Sequence, residues 1–287
     1  MPLSTSRRRF LKIAAAAGVA AIGIDSVFLE PNRPEITKQE LRLRRWPAAL
    51  DGFTIALLSD FHYDPQFSVH PLHAAVAIVN GLRPDLIALT GDFVSVPNFS
   101  HHARSAARAA EPCAEILRQM QAPHGLWAVL GNHDDATDPD FITDTLRNAG
   151  ISVLANQSIA MELKGARFWL GGVNDVLSET ADLDAVTRTI PKTEATVLLA
   201  HEPDYADYVK RYFVDLQLSG HSHGGQIRLP FLPPLYEPVL ARKYVSGLYK
   251  VGPLTLYTNR GLGTIGLPVR WNCPPEITLF TLRSGKA

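Results

Sequence analysis

The stretch Leu216-Gln217-Leu218-Ser219 runs directly into Gly220-His221-Ser222-His223-Gly224-Gly225. A short, mostly apolar run stopped by glycine and polar residues reads as a buried strand entering a tight loop. Two histidines one residue apart at a strand end rarely serve packing. The same layout recurs upstream. Phe53–Leu58 ends in Ser59-Asp60-Phe61-His62, Leu86–Thr90 in Gly91-Asp92, Leu126–Leu130 in Gly131-Asn132-His133-Asp134, and Thr196–Ala200 in His201-Glu202. Between these runs His70–Leu82 and Ala103–Met120 carry apolar residues at helical spacing, and Asp138-Pro139 offers an N-cap and first turn that Gly150 stops. Strand and helix in alternation predict an α/β fold whose sheet is covered on both faces. In such sheets ligands gather at the carboxyl ends of strands, and all five polar clusters fall there.

Five further runs, Ile151–Leu154, Ala160–Leu163, Phe168–Gly171, Leu254–Thr258 and Glu276–Leu282, read as short strands of a second layer. The chain has 287 residues, enough for a full core without staples, and its 46% hydrophobic and 20% charged content is ordinary for a globular protein. Lys+Arg and Asp+Glu both number 28, so composition gives no support for a nucleic-acid partner. Two cysteines, Cys113 and Cys273, exclude a disulfide framework and a thiolate zinc site, leaving one disulfide open.

The charge balance is uneven. Residues 1–24 hold Arg7, Arg8, Arg9 and Lys12 and no acid, so the remainder carries 24 basic against 28 acidic residues, a net of −4. Basic residues before the uncharged run Ile13–Ile24 are laid out as an export signal. Ser6-Arg7-Arg8-Arg9-Phe10-Leu11-Lys12 resembles the twin-arginine signal of bacterial proteins exported already folded, which implies the twin-arginine machinery as a partner and an extracytoplasmic, periplasmic location. No Ala-x-Ala follows the apolar run, and Val27-Phe28-Leu29 prolongs it, so an uncleaved membrane tether is expected as well as a cleaved signal. Residues 1–29 are read as this signal or tether, 30–48 as a connector and 49–287 as the catalytic domain.

The clusters supply Asp60, His62, Asp92, Asn132, His201, His221 and His223. Oxygen and imidazole ligands without thiolate suit Mn, Fe or Zn. Seven ligands exceed one tetrahedral site but fit two divalent ions sharing a bridge, for which the Asp92 carboxylate is suited. Two such ions outweigh the charge of Asp60 and Asp92 and would attract a phosphate.

These five motifs, in this order, resemble the calcineurin-like metallophosphoesterases over roughly residues 50–283. The likeness extends to the exported bacterial branch, through the N-terminal signal and the segment Asn259-Arg260-Gly261-Leu262-Gly263 to Cys273-Pro274-Pro275-Glu276. It implies two mixed β-sheets packed together between helices, a four-layer α-β-β-α sandwich. By position, one metal would take Asp60, His62, Asp92 and His223, and the other Asp92, Asn132, His201 and His221. His133 matches the catalytic histidine, with Asp134 orienting it. The family's second Asp after Gly-Asp is replaced by Ser95, which bears on a contact to a ligand and not on the ligand set.

The implied reaction is hydrolysis of a phosphodiester, pyrophosphate or phosphomonoester by a hydroxide bridging the two metals. His133 would protonate the leaving oxygen or stabilise transition-state charge. Asn132 and His133 would contact substrate. Arg260 is read either as a phosphate-binding cation or as a surface ion pair, and Asn174 and Asp175 as supports for the site. The Leu-, Pro- and aromatic-rich segment Ile227–Tyr249 is read either as a core-packed loop or as an apolar lip for a lipid-linked, cell-envelope substrate. Competing classes are a non-catalytic metal-binding scaffold of the same fold, a metal-dependent hydrolase of other esters or amides, and a structural envelope protein.

Overall fold

The computed structural model describes residues 5–96 and 103–285. The chain opens with α1 (Thr5–Ile24), whose helical backbone continues through Asp25–Asn32, and enters β1 (Glu35–Leu43). There follow β2 (Thr54–Leu58), α2 (Val69–Leu82), β3 (Leu86–Leu89), α3 (Ala103–Ala107), α4 (Ala110–Leu117) and β4 (Leu126–Ala128). Next come α5 (Asn132–Asp135), α6 (Pro139–Asn148), β5 (Ile151–Val153), β6 (Gln157–Leu163), β7 (Ala166–Gly172), α7 (Leu183–Thr187) and β8 (Thr196–Leu199). The series ends with α8 (Ala206–Val209), β9 (Leu216–Ser219), β10 (Gly247–Val251), β11 (Leu254–Thr258) and β12 (Glu276–Ser284).

Twelve strands form two mixed six-stranded sheets, ordered β1-β12-β2-β3-β4-β5 and β10-β11-β9-β8-β7-β6. Strands β2 to β5 run parallel in the first sheet, and β7, β8, β9 and β11 in the second. Alternation along each buried strand sorts side chains between layers. Ile55 and Leu57 enter the inter-sheet core with Phe53, Phe168, Val197, Leu199 and Leu218. Ala56 and Leu58 face the opposite way, into the core formed with α2, α4 and α6. Leu198 and Leu256 face a third core with α7 and α8. The result is the four-layer helix–sheet–sheet–helix sandwich, with strands apolar on both faces as buried parallel strands require.

Several expectations change. The runs 151–154 and 276–282, expected in a second layer, contain β5 and most of β12, which join the sheet that holds β2, β3 and β4. The five cluster-bearing strands are divided three to two between the sheets, since the sandwich is closed by strands that follow each half. The stretch 30–48, read as a connector, contains the nine-residue β1, paired in parallel register with β12. The helical pattern 103–120 is broken into α3 and α4 by a turn. Cys113 and Cys273 are free thiols, each buried in its own surroundings, so the open disulfide is not formed. The α6 cap is as read: the Asp138 carboxylate accepts from Phe141 N at 3.2 Å, with Pro139 in the first turn.

Arg7–Asn32 is a 26-residue helical stretch long and apolar enough to cross a membrane by length and composition, and it is the one such stretch among the described residues.

Candidate metal centre

The carboxyl ends of β2, β3 and β4 meet those of β8 and β9, and the five polar loops converge there. Asp60, His62, Asp92, His201, His221 and His223 are all buried. Ligand atoms of Asp60, His62 and His223 lie within 4.8 Å of one another, as do those of Asp92, His201 and His221, and a third group joins His62, Asp92 and His133. Asp92 thus belongs to two groups at once. Its Oδ2 lies 3.2 Å from His201 Nε2 and 3.4 Å from His62 Nε2, while His223 Nε2 is 3.6 Å from Asp60 Oδ1.

The loops hold this convergence by unusual backbone. Asp60, His62, Asp92, His221 and His223 all adopt left-handed φ, between 42° and 67°. Each costs about 1 kcal/mol for a residue with a Cβ, so five together mark a geometry imposed by the surrounding fold. Backbone donors bind the same carboxylates: His221 N donates to Asp60 Oδ1 at 2.9 Å, and His133 N to Asp92 Oδ1 at 2.9 Å. Two glycines are required by close approach. A Cβ on Gly131 would overlap Asp92 Oδ1, and one on Gly220 would overlap Ser59 Oγ and Asp60 Oδ2.

Outer partners settle which ring nitrogen faces inward. His201 Nδ1 lies 2.6 Å from the Thr90 carbonyl and His221 Nε2 lies 2.9 Å from the Val239 carbonyl. A carbonyl only accepts, so those nitrogens carry the protons and His201 Nε2 and His221 Nδ1 present lone pairs. They face each other at 3.2 Å. His62 Nε2 and His223 Nε2 face each other at 3.0 Å, with Ser95 Oγ 3.0 Å from His62 Nδ1. Ser95 therefore makes the contact that the missing aspartate put in question. The Asn132 Oδ1 atom is buried with no hydrogen-bond partner, although such an atom ordinarily has one.

Electrostatics run the same way. Burial pushes the His62 imidazole down to about 3 and His221 to about 4, and holds His223 well below its ordinary value, so these rings are neutral, the metal-binding form. His201 departs from the others: burial opposes charge there, but Asp92 outweighs it and holds the ring above the usual imidazole range, so its Nε2 presents a lone pair only once that proton is displaced. Burial raises Asp60 to about 7. Neutral lone pairs, carboxylates and an orphaned amide oxygen facing one another are a donor set that fits divalent cations.

His133 lines the adjoining cavity of about 420 Å³, alongside Asp92, Asn132, His221 and His223. Its Nδ1 accepts from Val96 N at 2.9 Å, which leaves Nε2 to carry the proton of the neutral ring. Asp134 does not orient it, contrary to expectation. The Asp134 carboxylate accepts from Phe93 N, Val94 N and Gly131 N, tying the β3 and β4 loops together, and burial raises it to about 8. Of the two readings of Arg260, the structure shows the ion pair and not the phosphate contact: it is outside the cavity lining, and its guanidinium is committed to Glu276 at 3.2 Å and Glu35 at 3.1 Å. Asp175 is buried beside Glu202, the residue after His201, and with burial it holds the Glu202 carboxyl well above its ordinary value. Asn174 lines a separate small cavity of about 180 Å³.

Sequence reasoning missed Arg270, a fully buried guanidinium that donates to the carbonyls of Arg260, Gly261, Gly263 and Cys273. It folds residues 260–273 against the Asp60 loop, where Gly263 N donates to Asp60 O at 2.7 Å. No local pattern distinguishes it from a surface arginine.

The model of the calcineurin-like phosphoesterase family matches residues 53–225, the span that carries all five loops. An uncharacterized metallophosphoesterase, YkuE, of Bacillus subtilis strain 168 is 36% identical, over 97% of this chain and 98% of its own length. Phosphodiesterase YaeI of Escherichia coli strain K12 is 33% identical, over 96% of this chain and 99% of its own. UDP-2,3-diacylglucosamine pyrophosphatase LpxG of Chlamydia muridarum is 28% identical, over 88% of this chain and 90% of its own. With the matched span, the sandwich and its facing donor loops in agreement, the chain belongs to the calcineurin-like phosphoesterase family of metal-dependent phosphoester hydrolases.

Proposed function

We propose that the protein hydrolyses a phosphodiester or pyrophosphate bond in a lipid-linked substrate of the cell envelope, with phosphomonoesters as poorer substrates. The carrying observation is the joining of the donor cluster to an apolar wall in one cavity: Ile227, Leu235, Tyr236, Pro238 and Leu267 line the space that Asn132, His133 and His223 also line. Relatives include a phosphodiesterase and a UDP-2,3-diacylglucosamine pyrophosphatase, which supports this substrate class.

One divalent ion would be held by Asp60, His62, Asp92 and His223, and a second by Asp92, Asn132, His201 and His221. Mn, Fe or Zn there would supply positive charge that polarises the phosphate and activates water. The chain's own residues do the rest. Asn132 and His133 position a phosphate oxygen at the cavity floor. His133, held through Nδ1 by Val96, donates a hydrogen bond from Nε2 to the phosphate or leaving oxygen and stabilises the charge that develops there. The apolar wall excludes water from the far side of the bond.

Residues 1–29 act as a twin-arginine export signal that stays as a membrane tether, placing residues 49–287 outside the inner membrane. Changing Arg7 and Arg8 to Lys stops export under this reading; undisturbed export removes it. The function is tested by elemental analysis of purified protein beside a panel of phosphomonoester, phosphodiester, lipid pyrophosphate and amide substrates. About two metals per chain are expected, as two ions clamp a phosphoryl centre, with fastest turnover of a lipid phosphodiester or pyrophosphate. Preference for the amide, or equal rates on water-soluble esters, overturns it.

A further inference from the structure

The N-terminal helix, the loop 260–273 and the cavity lip form one hydrogen-bonded junction. The helix base is tied to the loop: Arg270 N donates to Ser26 O at 2.9 Å, and Asn272 N to Glu30 Oε2 at 2.9 Å. That loop is tied in turn to the start of the lip. Gln226 Nε2 donates to Ile265 O and Leu267 O, both at 3.1 Å, Ile265 N donates to Gln226 Oε1 at 2.9 Å, and Arg228 N donates to Trp271 O at 2.9 Å. Arg270 locks the loop from inside, so helix base and lip are not free to move apart.

Large apolar side chains emerge all along this junction. Phe28 is 63% exposed at the helix base, Leu267 65% on the loop, and Phe231, Leu232, Leu235 and Tyr236 stand out on the lip. Scattered exposed apolar residues are ordinary, but Leu235, Tyr236 and Leu267 line one cavity together, and such a set with exposed apolar neighbours along the chain marks a docking surface. The helix names the occupant. A 26-residue helix at 1.5 Å per residue is about 39 Å long, more than the roughly 30 Å apolar core of a bilayer. Its base then stands at the membrane surface, and whatever is bolted to that base stands there too.

We propose that the lip, with Leu267 and Phe28, rests in the headgroup–acyl boundary of the bilayer that the N-terminal helix spans. The cavity then opens sideways at headgroup level. A lipid phosphate ester presents its phosphorus to the donor cluster while its tails remain in the bilayer or against the apolar wall. The identity of that substrate rests on the phosphoesterase reading above, and the seating of the lip on the reading of residues 1–29 as a retained tether.

The test uses the full chain in phosphatidylethanolamine–phosphatidylglycerol vesicles. An environment-sensitive fluorophore is placed at Phe231→Cys and, in a second variant, at Lys164→Cys in the β6–β7 turn, at the opposite end of its sheet from the metal cluster. The native thiols are buried and do not compete. Spin-labelled lipid is expected to quench the probe at 231 and not at 164. Equal quenching at both, none at 231, or shielding of the 231 probe in lipid-free detergent, which would mean a second copy or another protein covers the lip, overturns the proposal. A second arm compares the variant Phe231→Asp/Leu232→Asp with the native chain. Hydrolysis of a bilayer-embedded lipid aryl phosphodiester should fall about tenfold, as two large side chains lose their membrane contact, with hydrolysis of a soluble aryl phosphodiester unchanged. Parallel loss on both substrates overturns it. If the native chain hydrolyses neither, the phosphoesterase reading fails while the quenching still decides the seating.

Discussion

Two walls of one cavity are built by opposite rules. On the donor wall most of the donor groups have a neighbour that fixes them: carbonyls on His201 and His221, a hydroxyl on His62, backbone N–H groups on Asp60 and Asp92. The lip is held at its two ends, by Gln226 and Arg228 at one and by the Asp204–Asp207 clamp on 242–244 at the other, while Phe231 stands fully in solvent between them. Chemistry requires ligands fixed to fractions of an ångström, and the packed sheet ends supply that rigidity. Recognition of a long apolar group asks only for area. The comparison teaches where substitutions should abolish turnover and where they should change only what is turned over.

The largest effect should come from Asp92→Ala. Its carboxylate stands in two of the three donor groups, so metal content should fall and kcat drop by more than about 10⁴-fold; retention of two metals at near-native rate would erase the distinction between the walls. His133→Ala should keep both metals yet lose about 10²- to 10³-fold in kcat, the range for a missing donor to developing charge. Metal analysis beside steady-state kinetics separates these two variants. Gly220→Ala should lower thermal stability by about 1–3 kcal/mol, because its Cβ overlaps Ser59 and Asp60. An unchanged melting temperature would show that the donor wall yields more readily than its packing implies.

The smallest effect belongs to the lip's far clamp. Lys210 and Lys243 hold the Asp207 carboxylate down at about 2. A lowered carboxylate stabilises above its unfolded pKa, and that contribution fades as pH falls from about 4 toward 2. Asp207→Asn should therefore cost under about 1 kcal/mol at neutral pH, since the pair is partly exposed, and the difference should vanish in acid. Melting curves across pH would show it; a larger neutral-pH loss would place the lip among the rigid parts.

The donor loops were legible because buried parallel strands are apolar on both faces and stop abruptly at polar residues. Sheet membership was not, since β3 and β8 carry no local mark of which sheet receives them. β1 was hidden by its edge position: Glu35, Lys38 and Glu40 are what an exposed edge strand carries, and they read equally well as a linker. That omission left both readings of Arg260 open, since its partner Glu35 lies on β1. Asp134 misled for a different reason. The family resemblance implied that it orients His133, but the short α5 turns its carboxylate back onto Gly131 N. The left-handed backbone at five candidate ligands leaves no trace in residue type, because it is imposed by tertiary packing.

The pairing of β1 with β12 has a consequence for the order of events in synthesis. Among the described residues, the strand that follows the N-terminal helix pairs with residues 276–284 alone, so it waits, unpartnered, until that strand has left the ribosome. The helix emerges well before the sheet beside it can close, at the cost of a very long loop closure. A translocation route that accepts finished domains suits that sequence of events. A route that threads the chain would have to defer closure of the first sheet, and with it the seating of Arg260 between β1 and β12, to the far side of the membrane.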